Sequence, residues 1–330
     1  MWPHPMLIVR TPVRVSFCGG GTDLPAFYKN SDDGGLVTSV ALDAYIYVTV
    51  NKRFDNAIRV SYSQTENVDD FEDLKHELVR EAMRLTGVTS GIEITTIADI
   101  PGQGTGLGSS SSVTVGLLHA LHTYAGREVT AKQLAEEACQ IEIEVLGQPI
   151  GKQDQYAAAF GGLNQIRFNS DDSVDVIALD STASSNLGSN FCLVWTGLTR
   201  KASSILEQQS RNTASKMEQL EAMRAQATQV SGLIETGDFS AIGELLGNTW
   251  ELKRTLADGI SNPEIDGLYD QLMELGCTGG KLLGAGGGGF ILVQTPPNVQ
   301  QKIATNLTNK VISLNPDLHG STLILDDRGE

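Results

Sequence analysis

Residues 101–112 have the sequence Pro-Gly-Gln-Gly-Thr-Gly-Leu-Gly-Ser-Ser-Ser-Ser, in which glycine occupies every second position before a run of four serines. Glycine lets the backbone approach a ligand closely and adopt a positive φ angle. Residues 113–124 are mostly apolar and predict a helix, whose first turn offers unpaired N–H groups and a positive dipole end to a phosphate. A flexible glycine-serine linker is the alternative, but the apolar stretches on both sides favour an ordered phosphate-binding loop.

Two common nucleotide-binding motifs do not explain this loop. The chain contains no G-x-x-x-x-G-K-[ST] sequence, which excludes a Walker P-loop. Gly284, Gly286 and Gly289 do form G-x-G-x-x-G, but they precede an apolar strand candidate, 290–293, instead of opening a helix. A dinucleotide fingerprint follows a strand and opens a helix, so a nicotinamide cofactor is not expected.

The composition indicates a protein with a full apolar core and no membrane span. The 330 residues, 40% of them apolar, suit two ordinary domains or one large one. A formal net charge of −16 argues against nucleic acid and anionic membrane surfaces as partners. The start lacks the features of a secretory signal, and four scattered cysteines favour buried free thiols in a reducing compartment. We therefore expect a cytoplasmic monomer or homodimer whose partners are small molecules.

Strand and helix signals are mixed without a repeating βα period, which predicts an α+β protein of two domains. Strand candidates are enriched in β-branched and aromatic residues and cover 7–10, 13–17, 44–50, 163–168, 191–195 and 322–325. Helix candidates have helical periodicity or capping signals and cover 71–85, a segment after Thr130 and one that starts at Asn262 and Pro263. The small, polar stretch 180–189 is the best linker candidate and divides the chain into domains 1–185 and 186–330.

Three glycine-bearing motifs follow one another along the chain. They are R-T-P-x-R-x-S-F-x-G-G-G-T-D at 10–23, the loop at 101–112 and K-L-L-G-A-G-G-G-G at 281–289. Together they resemble the GHMP kinase superfamily, which includes galactokinase, homoserine kinase and mevalonate kinase, over nearly the whole chain. The resemblance implies an N-terminal ATP-binding domain with a ribosomal-S5-like fold and a ferredoxin-like C-terminal domain.

Within the superfamily, these motifs and G-K-Q-D-Q-Y at 151–156 are most similar to those of the bacterial D-glycero-D-manno-heptose 7-phosphate kinases. The resemblance implies phosphorylation of the anomeric (C1) hydroxyl of the heptose 7-phosphate, with ATP and Mg²⁺, on the way to nucleotide-activated heptose. Two alternatives stay open: a GHMP kinase for another sugar, such as a hexose or an octose phosphate, and a non-catalytic sugar-binding sensor on the same fold. A decarboxylase of the mevalonate branch is disfavoured because the neutral turn at 20–23 suits polyol recognition.

The resemblance also implies roles for individual residues. The ATP phosphates would be bound by the loop and the start of the following helix, through Gly104, Gly106, Leu107, Gly108, Ser109, Ser110 and Ser111. Magnesium would be held by Ser110 and Glu142, and Glu142 and Asp154 have the galactokinase-type spacing around Gly147. Asp154 would meet the acceptor hydroxyl and Arg14 would offset the developing charge, two functions that phosphoryl transfer requires. The sugar would contact two glycine turns, through Gly20, Gly21, Thr22, Asp23, Gly286 and Gly287.

No shared motif marks the site of the sugar's terminal phosphate. The candidates are basic residues beside the expected site loops, namely Arg10, Lys152, Arg200, Lys201 and Lys281. Arg200 and Lys201 follow a strand and precede a helix, where backbone amides and two cations suit a phosphate. An ordinary strand-to-helix turn fits that stretch nearly as well.

Each expected site residue also has a plain structural alternative. Glu142 lies in an acidic helix and would be a solvated surface residue if taken alone, but its spacing to Asp154 favours a role in the site. Asp154 would otherwise stabilise a helix N-terminus. Asp23 would otherwise stabilise its own turn, and Arg14 would form an ion pair. The glycines at 284–289 would otherwise only pack beneath the phosphate-binding loop.

Overall fold

The computed structural model describes residues 6–102, 104–199 and 203–327. Its strands, in chain order, are β1 (Met6–Cys18), β2 (Gly35–Lys52), β3 (Ile58–Ser61), β4 (Thr65–Val68), β5 (Ile92–Ala98), β6 (Leu163–Phe168), β7 (Val174–Ala178), β8 (Phe191–Trp195), β9 (Gly279–Leu282), β10 (Phe290–Gln294), β11 (Val311–Ser313) and β12 (Thr322–Asp326). Its α-helices, in chain order, are α1 (Pro25–Tyr28), α2 (Glu77–Thr86), α3 (Ser109–Tyr124), α4 (Ala131–Cys139), α5 (Gln153–Phe160), α6 (Ser181–Ser184), α7 (Leu187–Asn190), α8 (Ser203–Asn212), α9 (Met217–Thr236), α10 (Phe239–Arg254), α11 (Pro263–Glu274) and α12 (Val299–Asn306). A π-helical segment, Gln140–Val145, continues α4, and 3-10 turns lie at Phe71–Asp73 and Thr213–Ser215.

Two sheets organise the described part of the chain. Eight strands form one sheet in the order β12-β1-β2-β5-β3-β4, with β6 pairing to β2 and β7 to β6. Only β3 and β5 are parallel neighbours among these described strands. Four further strands form an antiparallel sheet in the order β11-β8-β10-β9. Helix α3 packs on β1 and β2, and α10 packs on β9, so the predicted α+β class is confirmed.

The last strand of the chain returns to the first sheet. In the pairing of β12 with β1, Leu7 lies opposite Asp326 and Arg10 lies opposite Thr322. A segment of the predicted second domain therefore completes the sheet of the predicted first domain. The stretch expected to be a linker contains the short helices α6 and α7. The division into 1–185 and 186–330 stays a prediction.

The two sheets bury apolar side chains against each other. The ring of Phe17 in β1 meets the ring of Phe191 in β8 edge to face, with centroids 5.6 Å apart. Val13 of β1, Phe290 of β10 and Leu107 of the phosphate-binding loop belong to the same buried cluster. Because Leu107 is fully buried there, the loop is anchored where the two sheets meet.

Some helix ends lie where the sequence predicts them and others do not. Asn262 caps α11 as predicted, because its side chain accepts a hydrogen bond from the N–H of Ile265 at 2.9 Å. The helix predicted at 71–85 begins only at Glu77. The Glu66 carboxylate accepts hydrogen bonds from two backbone N–H groups just before that point, at 2.7 and 3.1 Å, and so holds this stretch in a non-helical conformation.

The cysteines agree with an expectation from the sequence. All four cysteines are buried and free, as the sequence predicts. The Sγ of Cys18 lies 3.3 Å from the Oγ1 of Thr249, directly before the first glycine turn. In the part of the chain that the structure describes, no helix has the length and apolarity that crossing a membrane requires.

Candidate active site

The phosphate-binding loop has a backbone that only glycine adopts easily. Gly104, Gly106 and Gly108 have φ angles of 72°, 78° and 75°, in the left-handed region that costs other residues about 1–2 kcal/mol. Helix α3 begins at Ser109, and Gly108 precedes it without a capping side chain. The first N–H groups of α3 therefore remain available to an anion. The predicted Ser109, Ser110 and Ser111 form this first turn.

The second glycine run packs directly beneath this loop. A Cβ atom on Gly106 would lie only 2.5 Å from the carbonyl oxygen of Leu283, and one on Gly289 would overlap the carbonyl oxygen of Thr105. The N–H of Phe290 donates to that same Thr105 oxygen at 3.1 Å. The close backbone contact explains why glycines stand on both sides, and it couples the second sheet to the phosphate-binding loop.

Gly286 and Gly287 contact protein groups in this arrangement. The N–H of Gly287 donates to the carbonyl oxygen of Ile260 at 2.9 Å. A Cβ on Gly286 would lie 2.7 Å from the Cα of Ile260. These contacts match the packing alternative, and a direct contact of the two glycines with the sugar stays a prediction.

Arg14 joins the loop to the expected catalytic carboxylate. Its Nε donates to Oδ1 of Asp154 at 2.8 Å, and its Nη2 lies 2.7 Å from the same oxygen. Its Nη1 donates to the carbonyl oxygen of Gly106, and its backbone N–H donates to the carbonyl oxygen of Leu107 at 2.9 Å. The Arg14 side chain is almost fully buried, whereas 24% of the Asp154 side chain is exposed. Arg14 thus fixes a carboxylate that a ligand can reach.

Asp154 lies close to the start of α3. It belongs to the first turn of α5, and its Oδ2 would be 3.1 Å from a Cβ placed on Gly108. A side chain at position 108 would therefore crowd the carboxylate. The structure brings the predicted phosphate site and the predicted catalytic aspartate together.

The first glycine turn presents a second carboxylate to α5. Asp23 is 3% exposed, its Oδ1 accepts from the N–H of Gly21 at 2.9 Å, and its Oδ2 accepts from Nε2 of Gln153 at 3.0 Å. Gly151 has to be glycine because a Cβ there would overlap this carboxylate. Burial raises the pKa of Asp23, and the neighbouring charge of Asp154 raises it further. The sequence analysis predicted that Asp23 and Asp154 belong to one site, and in the structure the two residues lie near each other.

Glu142 is buried and hydrogen-bonded, not solvated. It lies in the π-helical segment and is 0% exposed. Its oxygens accept hydrogen bonds from the hydroxyls of Ser111, at 2.8 Å, and Thr114, and from Nε2 of Gln155, at 2.8 Å. Burial raises the pKa of Glu142 to about 7, although these hydrogen bonds act in the opposite direction. The alternative of a solvated surface residue is therefore excluded, and a role of Glu142 in the site stays a prediction.

The oxygens around Glu142 fit a hard cation such as Mg²⁺, which prefers carboxylate and neutral oxygen ligands. The Oε1 of Gln155 is buried and has no hydrogen-bond partner in the described structure. Ser110, the predicted partner of Glu142, is exposed at the first turn of α3, one residue before the serine that contacts Glu142. The residue next to Ser110 thus contacts the Glu142 carboxylate, and a shared metal site of Ser110 and Glu142 stays a prediction.

Two family models match this chain. The model of the GHMP kinases N terminal domain matches residues 74–162, and the model of the GHMP kinases C terminal domain matches residues 230–313. The chain belongs to the GHMP kinase family. The first match contains the phosphate-binding loop, Glu142 and Asp154, and the second contains the glycine run beneath them.

Relatives of this GHMP kinase include sugar kinases. The chain is 29% identical over 307 residues to D-glycero-alpha-D-manno-heptose 7-phosphate kinase of Campylobacter jejuni, which covers 87% of this chain and 89% of that protein. It is 27% identical over 363 residues to L-fucokinase/L-fucose-1-P guanylyltransferase of Bacteroides fragilis, covering 97% of this chain and 38% of that protein. The crystal structure of a D-glycero-D-manno-heptose 1-phosphate kinase from Bacteroides thetaiotaomicron has a TM-score of 0.78 at 23% identity, covering 96% of this chain and 97% of that one. The two-domain GHMP kinase fold is confirmed.

The described basic candidates for a terminal phosphate, Arg10, Lys152 and Lys281, contact protein groups. Arg10 stacks over the ring of Tyr45, 4.7 Å from its centroid. Its neighbour Thr11 faces α3, since a Cβ on Gly116 would lie 2.9 Å from the Thr11 hydroxyl, and adjacent side chains of a strand point to opposite faces. Arg10 therefore points away from α3. Arg14, four residues on, lies beyond an irregularity in β1 between Pro12 and Val13 and faces α5.

The other basic candidates are bound to protein groups or lie outside the described residues. The Nζ of Lys152 donates to the carbonyl oxygen of Asp172 at 3.1 Å. The Nζ of Lys281 is buried and donates to the carbonyl oxygens of Ser16 and Phe17, both at 2.8 Å. Arg200 and Lys201 lie outside the described residues, so their role stays a prediction.

Two residues of this region were missed in the sequence. Gln153 contacts Asp23, and the only indication of this in the sequence is that Gln153 directly precedes Asp154. Lys253 of α10 is buried and donates to the carbonyl oxygens of Leu282, at 3.0 Å, and Gly284, which fixes the start of the second glycine run. No local pattern marks Lys253, because it lies within an ordinary amphipathic helix.

Proposed function

We propose that this sugar kinase transfers the γ-phosphoryl group of ATP to the anomeric C1 hydroxyl of D-glycero-D-manno-heptose 7-phosphate. The product would be the 1,7-bisphosphate, a precursor of nucleotide-activated heptose. The observation that carries the kinase chemistry is the Asp154 carboxylate, held by Arg14 beside an uncapped helix N-terminus. The heptose substrate is supported by the relative from Campylobacter jejuni, which matches along most of both chains.

The nucleotide side of the site is the loop 104–108 with the first turn of α3. Backbone N–H groups and the helix dipole there stabilise the ATP phosphates. Ser110 and Glu142 would hold Mg²⁺, which would supply positive charge to neutralise the phosphates when bound. A chain with net charge −16 needs such local donors, since long-range attraction does not draw ATP to it.

Asp154 and Arg14 would act on the reacting atoms. The acceptor hydroxyl oxygen forms a bond to the γ-phosphorus, the bond from that phosphorus to the β–γ bridging oxygen breaks, and ADP leaves. Asp154 orients the hydroxyl and takes its proton, and Arg14 keeps the carboxylate in place while its charge favours the transition state. Asp23 and the turn formed by Gly20, Gly21 and Thr22 would bind other hydroxyls of the sugar.

An unphosphorylated hexose is the second candidate acceptor. It is favoured by one observation: the described candidates Lys152 and Lys281 donate to protein carbonyl oxygens. Arg10 stacks over Tyr45, and its buried Nε has no hydrogen-bond partner in the described structure. A non-catalytic sensor is disfavoured, because sugar binding alone gives no reason to pair Asp154 with Arg14 at a phosphate site. The expectations of a cytoplasmic location and of a monomer or homodimer stay predictions.

An ADP-release assay tests the acceptor. The panel contains the heptose 7-phosphate, the same heptose without its phosphate, galactose and L-fucose. If the phosphate is recognised, its loss leaves cations unpaired and costs roughly 2–4 kcal/mol, or about 30- to 1000-fold in kcat/KM. Equal values for the two heptoses would overturn the heptose-phosphate assignment and leave the kinase assignment standing. An Asp154→Asn control identifies any contaminating kinase activity.

A further inference from the structure

We propose that Gln153 determines acceptor specificity, and that its Oε1 accepts a hydrogen bond from the sugar hydroxyl next to the one that is phosphorylated. The inference rests on the proposed function, in that it assumes a sugar acceptor whose attacked hydroxyl lies at Asp154. It adds a residue that neither the glycine motifs nor the catalytic pair requires.

Within the described residues, only one of the two polar atoms in the Gln153 amide has a hydrogen-bond partner. Its Nε2 donates to Oδ2 of Asp23 at 3.0 Å, and its backbone N–H points to the same oxygen at 3.4 Å. Its Oε1 is buried and has no hydrogen-bond partner in the described part of the chain. A buried acceptor without a donor is destabilising, and native structures usually supply a donor from protein, water or ligand.

The orientation of this amide is fixed by its neighbour. A flipped amide would place Oε1 against the Asp23 carboxylate, where two acceptors repel, so Nε2 has to face Asp23. The atom of the Gln153 amide that lacks a hydrogen-bond partner in the described structure is therefore an oxygen, not an N–H group. An oxygen selects a donor, and each hydroxyl of a sugar is one.

Gly20 of the first glycine turn lies beside the Gln153 amide. In the turn at 19–21, Gly19 and Gly21 have positive φ angles of 91° and 97°, but Gly20 does not. A Cβ on Gly20 would make only ordinary contacts, 3.7 Å from Oγ of Ser16 and 3.9 Å from Nε2 of Gln153. Neither backbone strain nor close packing requires glycine at position 20. The position of the missing side chain is next to Nε2 of Gln153, and a methyl group would fit there without a clash.

The location of Gln153 indicates which hydroxyl it contacts. Gln153 and Asp154 are successive residues in the first turn of α5, and Arg14 fixes the Asp154 carboxylate. With the attacked hydroxyl at Asp154, the hydroxyl on the adjacent carbon is the nearest remaining donor of the acceptor. For attack by the anomeric oxygen, this is the hydroxyl on C2.

A double-mutant cycle between enzyme and substrate tests the proposal. We compare wild type and Gln153→Met on the heptose 7-phosphate and on its 2-deoxy analogue. Methionine keeps the length of the side chain and removes the acceptor. We expect wild type to prefer the parent sugar by about tenfold in kcat/KM, and Gln153→Met to lose about tenfold on the parent sugar but little on the 2-deoxy sugar. The KM for ATP should stay near the wild-type value.

Gln133→Met is the matched control, since Gln133 also lies in the first turn of a helix and donates through Nε2 to a carboxylate, Glu137, at 2.8 Å. It should leave both sugars unaffected. Equal losses on the two sugars for Gln153→Met would mean a structural role and overturn the proposal. If Gln153→Met does not fold, equal kcat/KM of wild type for the two sugars overturns it instead.

Failure of the proposed function has a different signature. Wild type would then not turn over the heptose 7-phosphate at all, whatever residue stands at 153. The same cycle is then run with the sugar from the acceptor panel that is phosphorylated and with its analogue lacking the neighbouring hydroxyl. Additive effects in that cycle overturn the role of Gln153.

Discussion

Arg14 and Asp154 form an ion pair in which Nη2 and Oδ1 are 2.7 Å apart. The same guanidinium donates to the carbonyl oxygen of Gly106, so one side chain positions both the carboxylate and the phosphate-binding loop. Lysine could not make these contacts together, because it lacks the planar fork of arginine. The pair therefore joins the predicted acceptor side of the site to the predicted nucleotide side.

We predict that Asp154→Asn lowers kcat by about 10²–10⁴-fold, the usual contribution of a general base. Asparagine keeps an oxygen for Arg14 and therefore the local structure, so ATP affinity should stay close to wild type. The measurements are kcat from ADP release and ATP affinity from calorimetry. Asp270→Asn, at an exposed position of α11, is the control for loss of a carboxylate. A kcat near the wild-type value would remove Asp154 from the mechanism.

Ser110→Ala and Glu142→Gln should each raise the Mg²⁺ concentration that gives half-maximal rate. Each change removes or weakens one oxygen ligand, and Mg²⁺ demands a nearly complete octahedral set. A Mg²⁺ titration of the initial rate measures the effect. The control is Ser112→Ala, two residues along the same helix turn, whose hydroxyl instead donates to the carbonyl oxygen of Pro12 at 2.8 Å. Unchanged titrations for both test variants would mean that the metal is held elsewhere.

The sequence predicted the contiguous motifs well, because their spacing is local. The glycines at 104, 106 and 108 have the positive φ angles that glycine permits, and the helix after them follows from its apolar residues. For Arg10, the local motif did not predict the surroundings of the side chain. It shares a motif with Arg14, yet an irregularity in β1 gives the two side chains different surroundings.

The burial of individual residues and their long-range contacts could not be predicted from the local sequence pattern. Glu142 has the sequence surroundings of a surface glutamate, and only the packing of α3 and α5 around it makes it a buried acceptor. Lys253 reaches the second glycine run from a helix that carries no signal of this contact. The return of β12 to β1 likewise depends on pairing over the whole length of the chain.

Gly106→Ala should destabilise the protein and weaken ATP binding. Alanine at a φ of 78° costs about 1–2 kcal/mol, and its Cβ would press against the carbonyl group of Leu283. Gly102→Ala is the matched control in the same loop, because position 102 has open space and no positive φ. Surface changes of that kind stay within about 0.5 kcal/mol. Thermal unfolding and ATP calorimetry compare the two, and equal melting temperatures would contradict the tight contact between the glycine runs.

Lys281 gives the stability of the protein a specific pH dependence. Burial lowers the pKa of Lys281 to about 8; the nearby Cys18 thiol raises this pKa and the charge of Arg14 lowers it. In the unfolded chain the lysine pKa is about 10.4. Between these values the unfolded state binds more protons than the folded state, so folding stability rises with pH. The cost of burying the charged amine is fully present below pH 8 and is relieved as the pH approaches 10.4.

We therefore expect the free energy of unfolding of wild type, relative to Lys281→Met, to rise by up to about 3 kcal/mol from pH 7 to pH 10, since each pKa unit corresponds to about 1.4 kcal/mol. Urea unfolding at pH 7, 8.5 and 10 measures this difference. Lys302→Met, at an exposed position of α12, corrects for the loss of one positive charge. A constant or falling difference would show that the Lys281 ammonium is not destabilised by burial, and that its contacts with the carbonyl oxygens of Ser16 and Phe17 compensate fully for its desolvation.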